Sequence, residues 1–423
     1  MKTTRTLLAA VLLGSIVLPA SAQDQITLDF YHTQLDFLPA IVQKFNETHP
    51  TIQINDLAPA ESYLPGDQNV IRGLMTGTAP DIYLPSYSSI ATLVGLFQER
   101  DQDVPFTPFL EAEGADWVSA NYSDAILDLA QVDGVQYAMP FNASLPVMYV
   151  NQELIEQAGG SVDDFPTTWE GVTDLATRIS ALGDQYEGIS FSVGGFASDW
   201  LWQMMVLSTG ASMLNDDMTG IGYDNEQGLE ALRVTQDFAV KSGMSVYASA
   251  TPSTQQFYAG TVGIIVGSSA STVSHGQAVG DRFTMRTVRF PLIDAEKGSL
   301  PAGGNALMIL TQDEAKQAAA WEFVKYMTSP EVQAEVAKLS GYMPTNQQSA
   351  DVLAGFYAEN PNFQTVFNSM DAAGKWFAYP NNTAPDLLKE LSPILDGLQR
   401  GNITPEDALV QIRDSQAAVL ANQ

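Results

Sequence analysis

The chain is 423 residues long, with 19 Lys+Arg against 49 Asp+Glu, a formal charge of -30, three histidines and no cysteine. At roughly 150 residues per domain the length accommodates two or three domains, and 45% hydrophobic with 16% charged residues is a folding composition. The missing cysteine excludes disulfides and thiolate chemistry, and the acidity excludes nucleic acid, whose phosphates need a basic face.

Lys2 and Arg5 precede an apolar run, Leu7 to Leu18, that is too short to cross a bilayer, and Ala20-Ser21-Ala22 follows with small-x-small spacing. Residues 1–22 therefore read as a signal peptide cleaved after Ala22. No cysteine follows to carry a lipid, and no later stretch is long and apolar enough for a membrane span, so an exported, soluble protein that is not a lipoprotein is expected. Ile26, Leu28 and Phe30 then alternate with polar neighbours as on a half-buried strand, and Leu38, Ile41, Val42 and Phe45 follow at helical spacing until Pro50. Ile52 and Ile54 resume a strand. Asp81–Leu84, Val147–Val150, Gly263–Val266 and Ala306–Leu310 read as short buried strands. Between them lie helices, one opened by the capping box Thr167-Thr168-Trp169-Glu170 and another marked by Ala320, Phe323, Val324 and Met327. Strands separated by helices predict an α/β fold with largely parallel sheets. No repeat or low-complexity linker divides the chain, so the domains are expected to be interwoven.

No P-loop, G-x-S-x-G elbow or H-E-x-x-H motif occurs. His32, His49 and His275 are far apart and read as hydrogen-bonding histidines. Asp81 and Glu170 read as structural, at a strand start and in a helix cap. What the sequence offers is recognition. Tyr and Trp stand beside Ser, Asn and Gly in the turns Pro85-Ser86-Tyr87-Ser88, Phe141-Asn142-Ala143-Ser144, Gly267-Ser268-Ser269 and Gly303-Gly304-Asn305. Aromatic faces and neutral hydrogen-bonding groups suit a hydroxyl-rich solute, and in open α/β sheets ligands sit beyond the carboxyl ends of strands.

Phe45-Asn46-Glu47-Thr48-His49-Pro50, Gly77-Thr78-Ala79-Pro80-Asp81-Ile82, Tyr137 to Asn142 and Phe323 to Pro344 resemble, in order, the periplasmic solute-binding proteins of ABC importers. The resemblance is to their large carbohydrate-binding, maltose-binding-protein-like family. It implies two α/β lobes of type II-like architecture joined by hinge segments at Ala138–Ser144, Leu300–Asn305 and Ser340–Tyr342. The implied lobes are 23–140 plus 304–340 and 141–303 plus 341–423. It also implies a sugar, oligosaccharide or polyol held between the lobes, a transient inner-membrane permease partner, a monomer, and neither enzyme activity, cofactor nor metal. Phe30-Tyr31-His32, Pro140–Ser144, Ser253–Gly260 and Gly303-Gly304 are most similar to the glycerol-3-phosphate-binding members. By that resemblance Tyr63, Ser144, Ser268, Gly304 and Tyr342 contact ligand. Tyr87 stands where those members have a glutamate, and Leu387 where they have the arginine that grips phosphate, with Lys375 and Lys389 as other cations at hand. Arg binds phosphate bidentately and Lys only as a point charge, so the replacement favours a neutral ligand. Tyr87 is expected to extend an aromatic lining together with Trp200 and Trp376, while Trp169 and Trp321 are expected in the core. Two alternatives remain: a glycerol-3-phosphate or glycerophosphodiester binder of the same class, and a secreted glycoside-acting enzyme.

Overall fold

The computed structural model describes residues 25–33, 35–193, 198–247, 251–380 and 383–421; the expected signal peptide lies outside them. The strands are β1 (Ile26–His32), β2 (Ile52–Asp56), β3 (Ile82–Leu84), β4 (Gln131–Val132), β5 (Val135–Gln136), β6 (Met139–Ser144) and β7 (Pro146–Asn151), followed by β8 (Glu187–Ser190), β9 (Val262–Ser268), β10 (Met285–Arg289), β11 (Leu300–Pro301), β12 (Gly303–Ile309), β13 (Met343–Pro344) and β14 (Ala373–Gly374). They build a six-stranded sheet in the order β13-β6-β12-β3-β1-β2, a four-stranded sheet in the order β10-β7-β9-β8, and the pairs β11-β14 and β4-β5.

Period-two burial explains the first lobe. On β12, Leu307 and Ile309 enter one core with helices Leu38–Thr48 and Glu314–Met327, while Ala306, Met308 and Leu310 enter another with helices Tyr63–Thr76 and Tyr87–Gln98. The second lobe has one core, in which the four-stranded sheet packs with helices that include Trp169–Ser180, Glu226–Ser242 and Ala384–Gln399. Thr168 caps the first of these, its hydroxyl accepting from Gly171 N at 3.3 Å, so the cap lies one residue later than the expected box Thr167–Glu170 and its third helical position is Gly171 rather than Glu170. Trp169 and Trp321 are core residues, each 5% exposed.

The sheets are less parallel than expected. Within the two large sheets β1–β2, β1–β3 and β8–β9 are parallel, and the other pairs are antiparallel. The reason is the connectivity. Parallel neighbours need a helical crossover, whereas β6 runs on into β7, and β11 into β12, with a single residue between the strands. Strands that pass directly from one sheet to the other enter in whichever sense they arrive. Strand pairing crosses the expected boundaries at several points. Residues 141–144 and Gly303 pair within the six-stranded sheet. The Ser340-Gly341-Tyr342 turn leads into β13, which pairs with β6 of that same sheet, and helix Ser349–Glu359 packs on helix Pro330–Leu339. Only with helix Pro361–Phe367, packed on β10, does the chain return to the second sheet. The glycine in that turn marks a bend, not a change of lobe.

Asp81 ties this lobe together. Its carboxylate, on a residue 8% exposed, accepts from Asp29 N at 2.9 Å and lies 2.9 Å from Lys316 Nζ, joining β1, the start of β3 and helix Glu314–Met327. Removing one member of such a group leaves the others unpaired. Asp81→Ala is expected to cost about 2 kcal/mol of stability, read as a lower urea midpoint; an unchanged midpoint would refute this role.

Candidate ligand-binding site

Two helix starts lie just past strand ends. Ser86 caps helix Tyr87–Gln98 by accepting from Ser88 N at 3.4 Å, which places Tyr87 directly beyond β3; Tyr63 is the first residue of its helix. Asn305 of β12 joins them: its Nδ2 donates to the Tyr63 hydroxyl and to Pro85 O, both at 3.2 Å. The Asn305 backbone N–H donates to Asn142 Oδ1 at 2.8 Å, at a point where the β6–β12 register shifts. The Tyr87 hydroxyl donates to Asn142 O at 3.1 Å. The Tyr63 hydroxyl faces those of Tyr342 and Thr33, and the Tyr342 ring meets Phe37 edge-on at 6.5 Å. Gly304 fits between because it has φ +124° and because a Cβ there would run into Asn142 O and lie 2.9 Å from Asn142 Oδ1. Tyr63, Tyr87, Gly304 and Tyr342 are thus brought together around two asparagines.

Gly303 links this cluster to a second one. A Cβ at Gly303 would lie 2.9 Å from Ser144 Oγ and 3.8 Å from Trp200 Nε1, so the serine and the tryptophan edge converge on it. Trp200 donates to Pro301 O at 2.9 Å, and its ring lies 6.2 Å from that of Trp376, tilted by 48°. Asp199 accepts from Trp376 Nε1 at 2.9 Å and from Gln203 Nε2 at 3.0 Å; Gln203 in turn exchanges hydrogen bonds with the Phe377 backbone. Trp202, two residues on, points away into the core and donates to the Tyr223 hydroxyl. Ser268 lies opposite Pro146 in the β7–β9 ladder, its hydroxyl accepting from Ala270 N at 3.2 Å. Its neighbour Ser269 exchanges hydrogen bonds with the Leu145 backbone, and Ser340 O accepts from Val273 N at 3.1 Å. All eight expected residues therefore lie at or beside the strands and turns where the two sheets meet.

Two roles differ from expectation. Tyr87 is 5% exposed, with its ring in the core formed by Val70, Leu74, Ile90 and Val94; it offers the site a hydroxyl and no stacking face. Position one of a helix, pointing down onto the sheet, explains this. Leu387 is 1% exposed in the core of the second lobe, so it replaces no cleft arginine in space. Lys389 is exposed on the same helix, and Lys375 Nζ is engaged 2.9 Å from Asp128.

The charges close to the site are carboxylates. Asp67, one turn along the helix from Tyr63, accepts from the Tyr83 hydroxyl at 2.7 Å and the Ser89 hydroxyl at 2.6 Å, and burial raises its pKa above the ordinary carboxylate value. Burial raises that of Asp199 too. It also pushes the phenols of Tyr63, Tyr87 and Tyr342 up, so all three remain neutral donors. Among the described residues no Lys or Arg hydrogen-bonds or ion-pairs with any of the eight expected residues, and no cluster of His, Asp and Glu could hold a metal ion. Asn142 and Asn305 stand in turns noted from the sequence but are not expected as contacts, and Asp199 is not expected in a ligand or structural role. Asn142 shares a strand face with Ser144 by the period of two, and that spacing could have found it.

Residues 40–365 match the family described as bacterial extracellular solute-binding protein, and the chain belongs to that family. Over 392 residues it is 22% identical to the sn-glycerol-3-phosphate-binding periplasmic protein UgpB of Escherichia coli K12, covering 86% of this chain and 84% of that one. Among solved structures it is similar to UgpB from Mycobacterium tuberculosis in complex with glycerophosphocholine (TM-score 0.78, 18% identity, 94% of this chain and 99% of that one). It is also similar to the sugar-binding protein MalE from Xanthomonas citri (TM-score 0.79, 17% identity, 94% and 98%). The two-lobed α/β fold is that of these proteins, and no described helix is long and apolar enough to cross a membrane.

Two outcomes follow from this geometry. Gly304→Ala is expected to lose solute binding at least tenfold by calorimetry, because the strand must shift to clear Asn142 O; wild-type affinity would contradict that fit. His275, behind β9, has Nδ1 2.7 Å from the Tyr258 hydroxyl and stacks edge-on against Tyr149, and burial lowers its pKa to about 4 from 6.5. The unfolded chain therefore binds this proton first, so the stability it contributes is fully present above about pH 6.5 and is lost as pH falls towards 4. Melting temperatures across that window should fall less steeply for His275→Gln than for wild type, and parallel curves would contradict the assignment.

Proposed function

We propose that this protein is the extracytoplasmic solute-binding component of an ABC importer. It captures a neutral sugar, oligosaccharide or polyol between its lobes and delivers it unchanged to a membrane permease. The observation that carries the ligand class is the composition of the site: three neutral phenols, two asparagines, a serine and a tryptophan pair, flanked by two partly buried carboxylates with no cation bonded to them among the described residues. A phosphate monoester placed there would be desolvated beside Asp67 and Asp199 without a counter-charge. Hydroxyls need only the donors and acceptors already present, and sugar C–H faces suit the half-buried Trp376.

The lobes of this reading are 23–144 with 303–359, and 146–301 with 361–423, so the crossings fall at Leu145, Ala302 and Asn360. Tyr63 and Tyr342 come from the first lobe and Trp200, Ser268 and Trp376 from the second. A solute that touches both sets bonds fully only when the lobes are shut, and it shifts the population by that differential affinity. Micromolar binding, about -8 kcal/mol, is within reach of a few such contacts. Capture without chemistry agrees with carboxylates that are already engaged: Asp67 and Asp199 hold hydroxyl, amide and indole donors. A second reading, a glycerophosphodiester, is favoured by the full-length similarity to UgpB and by the glycerophosphocholine complex of its mycobacterial namesake. Its single negative charge sits between the two extremes.

Thermal shift and calorimetry with maltose, glycerol, glycerophosphocholine and glycerol 3-phosphate at equal concentration test the reading. An uncharged member is expected to raise the melting temperature most, and Trp376→Ala to weaken its binding about tenfold. A larger rise with glycerol 3-phosphate would overturn the neutral-ligand assignment, and hydrolysis of maltose would overturn the binding-protein assignment.

A further inference from the structure

Asn142 is fully buried, yet its Nδ2 has no hydrogen-bond partner among the described residues. The orientation of the amide is not free. Asn305 N–H donates at 2.8 Å to the other terminal atom, which must then be the oxygen, so the NH2 group is left with both protons unmet. The other unpartnered buried atoms among the described residues are the hydroxyls of Ser190, Thr287 and Tyr326, which can reorient; an amide whose oxygen is already held cannot. Buried polar groups are almost always satisfied, and one left open at a binding site calls for an incoming acceptor.

Its position says where that acceptor comes from. Asn142 lies two residues before Ser144 and so shares its face of β6. It is hydrogen-bonded through Oδ1 to Asn305 and through its carbonyl to Tyr87, and the absence of a Cβ at Gly304 leaves room for that carbonyl and Oδ1. We propose that the Asn142 side-chain amide is a specificity-determining ligand contact, donating from Nδ2 to an uncharged oxygen, a hydroxyl or ether, of the captured solute. This deepens the sugar or polyol reading and rests on it. The Nδ2 atom is closed to bulk water in this arrangement, so the acceptor arrives with the solute and is sealed in beside it. A solute lacking an oxygen at that point leaves the donor unmet, which is how sites built on hydrogen bonds discriminate most sharply.

Asn142→Asp is the informative substitution, since it keeps the size and the acceptor for Asn305 N–H and, while ionised, replaces the donor with a charged acceptor. Calorimetry at pH 7 with the tightest-binding uncharged member of the panel should show affinity reduced at least tenfold. The ratio to wild type should narrow towards pH 5, as the buried carboxyl takes up a proton and can donate again. A second readout uses the unmutated chain: the Asn142 side-chain 15NH2 pair, assigned by its loss in the variant spectrum, should shift on saturation with that solute. Should the variant fail to fold, this signal decides with assignment from backbone correlations. Equal affinity of Asn142→Asp, an unmoved NH2 pair, or a complex in which Nδ2 holds only a water would each overturn the proposal. A wild-type chain that binds no member of the panel would end the sugar or polyol reading and this one with it. Binding by wild type with equal affinity in the variant would end this one alone.

Discussion

The antiparallel pairing of β6 with β12 is the constraint on which the rest depends. Ser144 pairs with Gly303 and Ala143 with Gly304, so β6 where it runs on into β7 of the four-stranded sheet and β12 where it is entered from β11 of the β11–β14 pair lie side by side, hydrogen-bonded up to that point. β13 adds a third strand by pairing Met343 with Ala143 and Pro344 with Asn142. The sequence at this junction is accordingly polar but entirely buried: Asn142, Ser144 and Asn305 are all under 4% exposed. Their backbone groups bond in part to side chains, Asn305 N–H to Asn142 Oδ1 and Asn142 O to the Tyr87 hydroxyl, and the side chains must satisfy one another or a guest. Asn305 does so with Tyr63 and Pro85, and Asn142 does so only on its oxygen side. A junction that hydrogen-bonds this thoroughly to itself is stiff, and stiffness positions the site.

Local pattern carried most of the fold. The strands at Ile26, Ile52, Ile82, Val147, Ile264 and Leu307 and the helix from Leu38 follow from burial period and from Pro50, because one face of each packs on a core. Strand direction did not follow. Alternating strands and helices imply crossovers, and nothing in the residues of β6, β7, β11 or β12 records that their connections are one residue long. The third crossing illustrates the same limit. Gly341 looks like a hinge glycine, yet its role is steric: a Cβ there would meet Ser269 O and the Thr272 side chain. Among the residues named by resemblance, Tyr63 bonds to Asn305 of β12, and Gly304 on that strand packs against Asn142 of β6. Tyr87 and Leu387 show that a residue type assigned by position says little about which way the side chain points, since tertiary packing decides it.

A formal charge of -30 sets the background field, and the partly buried carboxylates sharpen it locally. Each carboxylate is given donors that position an aromatic: Asp67 orients Tyr83, and Asp199 fixes the indole of Trp376. On the proposed reading the carboxylates act on the wall of the site rather than on the solute. Anchoring aromatic rings by partly buried charge keeps their faces at fixed angles without requiring a cation nearby, which suits a guest that brings hydroxyls and no charge.

The balance between open and shut lobes depends on what holds them together without a guest. Lys375, just past β14, reaches Asp128 of the helix before β4 at 2.9 Å, and both side chains are about half exposed, 49% and 51%. An ion pair so exposed contributes about 0–1 kcal/mol and is screened by salt. Taken alone it would bias the lobes by no more than a few-fold. On the proposed reading the larger bias comes from contacts that exist only with solute in place, such as the Trp376 face on one lobe and the unpartnered amide of Asn142 on the other. A weak standing latch and an unfilled donor suit a shell that rests near balance and is tipped by its cargo.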